Sequence, residues 1–328
     1  MYKNISKARN QLMGIAMLMI MFFHTSIKYP KVLDLLKNFG DFGVNIFFLV
    51  SGYSMIYAWN KNPDLKAFYK KRFIRILVTY LPIAIGWCSI SVLMHECGIL
   101  EAICKILTIQ FWIDGNLLHW FISGILILYL ITPFWIRMSD KYAKLSAIVT
   151  IGVCSICIIY SYIENPGISI FLYRLPAYFM GLYMGRKAYK NQEPGKIEKW
   201  VVNIIGIVGI LCFAMIRFDT LNYIWKYIIY ILLTPTFVLC VAKIFGSSTR
   251  NHKILTFCSA ITLETYLLHE KILRIATMIF DSLSVSFDNR LIIINLLCAM
   301  GTVMVAYVYS VSVNKILKIS NKYKKDKK

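Results

Sequence analysis

Phe42-Gly-Val-Asn-Ile-Phe-Phe-Leu-Val-Ser-Gly-Tyr-Ser-Met-Ile-Tyr-Ala-Trp59 runs for eighteen residues without one charged side chain. As a helix it is about 27 Å long at 1.5 Å per residue, close to the roughly 30 Å of hydrocarbon that a membrane-crossing segment must span. Nine more stretches bounded by charge read the same way: Leu12–Tyr29, Ile76–His95, Leu118–Ile136, Leu145–Ile163, Ser169–Gly185, Trp200–Ile216, Tyr223–Ala242, Leu255–Ile275 and Leu291–Val313. The sequence therefore predicts an all-α, polytopic transmembrane bundle of about ten spans. Span six is the weakest, because Arg174 and Pro176 interrupt it, and a proline at depth needs neighbouring helices to re-satisfy the freed backbone group.

Composition agrees. Of 328 residues, 58% are hydrophobic and 16% charged, and the mean hydropathy is +0.62, which excludes an ordinary soluble enzyme, a secreted disulfide scaffold and a disordered chain. The net charge of +21 suggests a nucleic-acid partner only if the cations share one solvated face. Instead they sit in short clusters between apolar spans. In alternate connections 27 of the 37 Lys and Arg fall on one side, which predicts that both termini are cytoplasmic and that the number of crossings is even. No nucleic-acid partner is expected. Most of the nine cysteines lie within apolar spans, where a thiol is a small hydrophobe, and the Cys154-x-x-Cys157 pair lacks a second ligand pair for a metal. Only Cys97 and Cys104, in an external connection, are placed to pair.

The connections are short, so residues 1–328 read as a single membrane domain ending in a basic cytoplasmic tail at about 315–328. The expected address is a cell membrane, multi-pass, with membrane lipids as immediate partners.

Ionisable groups at membrane depth cost a few kcal/mol or more and mark cavities or partners. Here they are His24 in span one, Arg174 in span six, and Glu264 and His269 in span nine. His24 is twelve residues beyond Leu12, about 18 Å along the axis, hence in the outer half of the bilayer. A neutral imidazole there can accept a hydroxyl proton and return it later. Glu264 and His269 are five residues apart, which is about 140° of helix rotation, so a straight helix directs them to different places. Lys71, Arg72 and Arg75 cluster where span three begins, at its cytoplasmic mouth. Guanidinium forks there suit a polyphosphate, although the same cations also serve the positive-inside bias and attract anionic lipid.

Several of these residues stand in recognisable company. The first helix ending Phe23-His24, the Phe47-Phe48-Leu-Val-Ser51-Gly52-Tyr53 motif and Arg72-x-x-Arg75 before Pro82 resemble the acyltransferase-3 family of bacterial membrane acyltransferases. So do His119-Trp120-Phe with Tyr129 and Pro133, Tyr173-Arg174-Leu-Pro176 with Gly181 and Gly185, and Leu263-Glu264-Thr-Tyr266-Leu-Leu-His269. The likeness covers nearly the whole chain.

The resemblance implies an enzyme that takes an acyl group, most often acetyl, from cytosolic acyl-CoA and passes it to a hydroxyl of a cell-surface polysaccharide, a glycolipid precursor or a related acceptor. His24 is then the general base, and Arg174 contacts a polar acceptor or stabilises the developing oxyanion. Arg9, Lys71, Arg72, Arg75, Phe48, Ser51 and Tyr53 hold the acyl-CoA in a groove between spans one, two and three; Ser51 is a lesser candidate for carrying the acyl group itself. Glu264, His269 and Trp120 are the acceptor-side candidates, and no metal is expected. The family's first helix usually has an arginine eleven residues before the histidine, where this chain has Met13, so Arg9, one turn closer to the cytosol, is expected to take over the phosphate contact. Some members carry a fused extracellular SGNH-type domain; none is read here, so a second transfer on the outer face would need a separate transferase. The competing reading of the buried Arg174, Glu264 and His269 is a polysaccharide or small-solute exporter without catalysis.

Overall fold

The computed structural model describes residues 1–25, 30–164, 166–216, 223–248, 252–282 and 291–325. Tyr29, at the expected end of span one, Arg250 of the basic count and the last residues of the tail lie outside them. The described residues form helices without a strand: α1 (Lys3–Lys7), α2 (Arg9–Phe23), α3 (Lys31–Phe39), α4 (Phe42–Lys61), α5 (Leu65–Leu93), α6 (Ile99–Ile106), α7 (Gln110–Asp114) and α8 (Trp120–Lys141). The second half continues with α9 (Ala143–Ile163), α10 (Pro166–Leu172), α11 (Leu175–Tyr189), α12 (Lys196–Ile216), α13 (Tyr223–Gly246), α14 (Lys253–Ala260), α15 (Thr262–Ser282) and α16 (Leu291–Lys325).

Each stretch expected to cross the membrane is largely helical over its described residues, and seven of the helical segments are long and apolar enough to cross by length and composition alone. The other three depart for physical reasons. α2 has only 15 residues. Span six is not one helix: Arg174 separates α10 from α11, and Pro176 sits in the first turn of α11, where its missing N–H leaves nothing unpaired. Span nine is broken as well, at Ile261. There Thr262 Oγ1 donates back to the carbonyls of Cys258 (3.0 Å) and Ser259 (3.0 Å), and α15 then carries too many ionisable groups to count as apolar.

The exposed surface of α9, α12 and α16 is lined by large aliphatics, among them Ile148, Ile156, Ile204, Leu211, Met304 and Val308. In water that arrangement would be costly; against lipid tails it is the stable one. The chain is a multi-pass membrane protein.

The interior is organised around α4, whose residues from Phe42 to Val50 are all buried. Its tightest neighbour is α11, and glycine makes the approach possible: a Cβ at Gly181 would run into the Leu49 carbonyl, and one at Gly52 into the Tyr178 carbonyl. On α2, Gly14 lies in the same way against the Leu255 backbone of α14. These contacts pack α4 on α11 and α2 on α14 without intervening side chains, and a gap remains beside α2 and α4.

One end of the bundle is tied by polar contacts among the basic connections. The amino group of Met1 meets Glu193 Oε2 at 2.8 Å, while Asp140 accepts from Arg186 (3.1 Å) and Lys190 (2.6 Å). The ammonium beside Glu193 holds that carboxyl below the ordinary glutamate range. At the opposite end, α6 and α7 form short helices clamped by Tyr80, whose hydroxyl reaches the carbonyls of Lys105 (3.1 Å) and Ile106 (3.0 Å) and the Nδ1 of His119 (3.1 Å). Cys97 and Cys104 do not pair in this structure; both are free thiols.

Candidate active site

The gap beside α2 and α4 is a cavity of about 200 Å³. Its walls come from α2, α4, α5, α8, α14, α15 and α16, a wider ring than the groove between spans one, two and three that the sequence suggested. Among the described residues three arginines line it: Arg9 from the start of α2, and Arg72 and Arg75 from the third and fourth turns of α5. Arg9 Nε donates to Ser54 Oγ at 3.3 Å, which turns the guanidinium toward the cavity. Met13, one turn above Arg9, lines the same wall. Three fixed cations with one carboxylate, Glu264, among them give this cavity a net positive charge and suit it to an anionic ligand.

The other residues expected to hold the donor divide. Ser51 and Phe47 line the cavity. Phe48 does not: it is fully buried on the far side of α4, its ring 6.4 Å from that of Trp120 and 5.4 Å from that of Phe121. Residues 47 and 48 are a 100° step apart on a helix, so the motif's two phenylalanines cannot share a face. Tyr53 also turns inward, donating to the Tyr2 carbonyl (3.1 Å) and pairing with the Tyr57 hydroxyl (3.2 Å). Lys71 is exposed and outside the cavity. Glu264, expected on the acceptor side, belongs instead to the wall shared with the arginines.

At the other end the cavity stops at two rings. Phe121 and Tyr266 stand 4.9 Å apart, centroid to centroid, and both line it. Beyond Tyr266 comes His269, at 5.9 Å, and beyond His269 comes His24, at 4.6 Å. His24 caps the C-terminus of α2 and lines a separate cleft of about 30 Å³ together with His269, Asn295 and Cys298. Between the arginine cavity and His24, therefore, lie two aromatic rings and one imidazole, a partition that helical spacing alone does not reveal.

His24 has a partner the sequence reading missed. Its Nδ1 lies 3.3 Å from Oε1 of Glu270 on α15. A carboxylate there favours the tautomer with the proton on Nδ1, leaving the Nε2 lone pair free to accept one. His269 is fixed differently: its Nδ1 donates to the carbonyls of Tyr266 (2.7 Å) and Thr265 (3.2 Å), so Nε2 carries the lone pair. That Nε2 is buried and makes no hydrogen bond among the described residues. One ligand atom each from His24, His269 and Glu270 lie within 4.8 Å of one another. The signal for Glu270 was its position immediately after His269 in a span that carries several charges.

Arg174 is not at this cleft. It is fully buried, bonded to Asp41 Oδ1 at 2.6 Å and to the Ile170 carbonyl at 2.5 Å, with its guanidinium 5.1 Å from the Trp120 ring and 5.2 Å from that of Tyr227. Lys226 Nζ approaches the other oxygen of Asp41 at 3.5 Å. Trp120 is accordingly a packing surface for a cation and is closed to an acceptor. Arg174 neutralises Asp41 and pins the α10–α11 break against the start of α4, so it shapes the site without facing either cavity.

Comparison with known proteins completes the picture. The family model described as an acyltransferase domain, acyltransferase-3, matches residues 10–311, nearly the whole chain. No curated protein and no solved structure matches. The matched stretch begins just after Arg9 and takes in Arg72, Arg75, His24, Glu264 and His269 alike; the chain belongs to the acyltransferase-3 family of membrane acyltransferases.

Proposed function

We propose that this acyltransferase takes an acyl group, acetyl foremost, from cytosolic acyl-CoA and transfers it to a hydroxyl of a cell-surface polysaccharide, a glycolipid precursor or a related acceptor in a bacterial cell membrane. The observation that carries the reading is the placement of two different chemistries on either side of the Phe121–Tyr266 rings. On one side is a cavity with three arginines, fit for the phosphates of a nucleotide-borne thioester; on the other is an imidazole oriented by a carboxylate, fit for activating a hydroxyl.

The phosphates dock on Arg9, Arg72 and Arg75, and the pantetheine arm extends past Met13 and Ser51 toward Tyr266. For reaction, the Tyr266 ring turns aside and the thioester reaches the His24 cleft. His24 Nε2 takes the acceptor O–H proton as the oxygen attacks the thioester carbonyl. The C–S bond then breaks, and the proton returns from His24 to the leaving CoA thiolate, so that the products are the ester and free CoA. Glu270 holds the imidazole in one tautomer and offsets its positive charge while it is protonated. Ser51 faces the donor cavity and carries no acyl group in this scheme. Arg174, with Asp41, holds the start of α4.

The test uses purified protein in liposomes with acetyl-CoA labelled in the acetyl group, following free CoA and label on added membrane glycolipid. CoA release that is lost in His24→Ala supports the reading. Equal release by wild type and His24→Ala overturns the role of His24. No binding or turnover of any acyl-CoA with acceptor present returns the chain to the exporter reading.

A further inference from the structure

We infer that His24, His269 and Glu270 form a binding site for one divalent transition-metal ion of the zinc type, and that the bound ion switches the enzyme off. The site rests on geometry alone; the switch rests on the proposed role of His24 as base.

Three features carry the site. First, the donor set is two imidazoles and one carboxylate from two helices, with one ligand atom from each lying within 4.8 Å of the others. Zinc takes such sets with three protein ligands and one open position, whereas calcium and magnesium prefer oxygen throughout. Second, His24 Nδ1 and Glu270 Oε1 are already 3.3 Å apart. Ligand bonds of about 2.0–2.1 Å in a tetrahedron set neighbouring donors about 3.3–3.4 Å apart, so this pair has the required spacing and the third ligand needs to close by about 1.5 Å. Third, His269 is 8% exposed, and its Nε2 has no hydrogen-bond partner among the described residues. Its Nδ1–H is spent on the Tyr266 and Thr265 carbonyls, the arrangement that metal-bound histidines use to present the other nitrogen. A buried lone pair without a donor is costly, and a cation satisfies it.

Access fits as well. Glu270 is 58% exposed, which opens the cluster to an ion from outside, and the two imidazoles border a cleft of about 30 Å³ that has room for a water.

The consequence for catalysis follows from tautomers. A metal on His24 Nδ1 displaces the proton from that nitrogen, and a neutral ring then carries it on Nε2. The nitrogen that accepts the acceptor's proton becomes a donor, and Glu270 is withdrawn to the metal. Removing the ion restores the base.

The experiment titrates the purified full-length chain with Zn²⁺ by calorimetry and with Co²⁺ by absorbance, in wild type, His269→Ala, the shape-preserving Glu270→Gln, and a His252→Ala control distant from the cleft. The expected result is one ion per chain, bound at least tenfold more weakly in both site variants and equally well in the control. In the same preparation, Zn²⁺ should suppress CoA release over the range in which it binds, and chelator should restore it. Absence of stoichiometric binding, or binding undiminished in both site variants, overturns the site. Saturation with Zn²⁺ at unchanged rate overturns the switch. Turnover by His24→Ala equal to wild type refutes the base role, while the titrations still decide the site.

Discussion

Glu270 Oε1 stands 3.3 Å from Nδ1 of His24, on the side of the imidazole away from the nitrogen left to do chemistry. If the carboxylate orients the ring and offsets its charge in the transition state, Glu270→Gln should lower kcat about 10–100-fold, within the range of general acid–base effects, and leave KM for acyl-CoA within about twofold. Steady-state kinetics with acetyl-CoA check this. An equal loss in both parameters' ratio through KM alone would mean that Glu270 serves binding.

The arginine cavity makes the complementary prediction. Removing one phosphate-paired guanidinium forfeits roughly 1.5–3 kcal/mol of charge-assisted hydrogen bonding, so Arg72→Ala and Arg9→Ala should each weaken acyl-CoA binding about 10–100-fold. Glu264→Gln removes the one carboxylate on that wall and should tighten it. Equilibrium binding of a non-hydrolysable CoA thioether measures all three, and a weaker Glu264→Gln would place the carboxylate in contact with a donor group of the ligand.

Tyr266 offers a test of the partition. With the ring removed in Tyr266→Ala, the thioester and the solvated outer cleft share one space, and CoA release should continue without acceptor at several times the wild-type rate. Comparing release with label transferred gives the ratio directly; an unchanged ratio would show that Tyr266 does not separate the two compartments.

Asp41 and Arg174 predict stability more than rate. Truncating one member of a buried pair leaves an uncompensated charge and costs about 3–5 kcal/mol, so Asp41→Ala should lower the Tm in detergent by several degrees. Asp41→Ala with Arg174→Met should recover much of that loss, because packing replaces the pair. Failure of the double substitution to recover would show that the cost lies with Lys226, which also faces Asp41, or with the Ile170 carbonyl that Arg174 serves.

How much of this was legible beforehand differs from residue to residue. The span at Phe42–Trp59 was plain, because a charge-free run of that length has few other uses, and its burial at the centre followed from Ser51, Gly52 and the glycines of α11. The break at Arg174 was foreshadowed by Pro176; the break at Ile261 was not, since Thr262 makes it by bonding to its own preceding turn. His24 was found as a polar group in apolar surroundings, Arg72 and Arg75 as a basic cluster at the mouth of a span, Ser51 within a motif and Arg9 from its place one turn before Met13; the structure brings the last four together in one cavity. Phe48, Tyr53 and Trp120 were misplaced because aromatic side chains in a motif carry no sign of which face they occupy. Asp41 and Glu270 were overlooked for a different reason: Asp41 sits just before α4 and Glu270 stands among other charges within α15, and neither carboxylate attracts notice until its partner from another helix is known.

The rings of Phe121 and Tyr266 have a meaning beyond positioning. A cell stores energy as an ion gradient across the membrane in which this protein sits, and a continuous watery path through the bundle would discharge it. On the proposed reading the two polar chambers face opposite sides of that membrane and are harmless only while an apolar stopper keeps them from joining. The aromatic pair then acts as electrical insulation too, so a chain lacking both rings should burden its host even where the acceptor is absent, and passive proton flux into liposomes measures this.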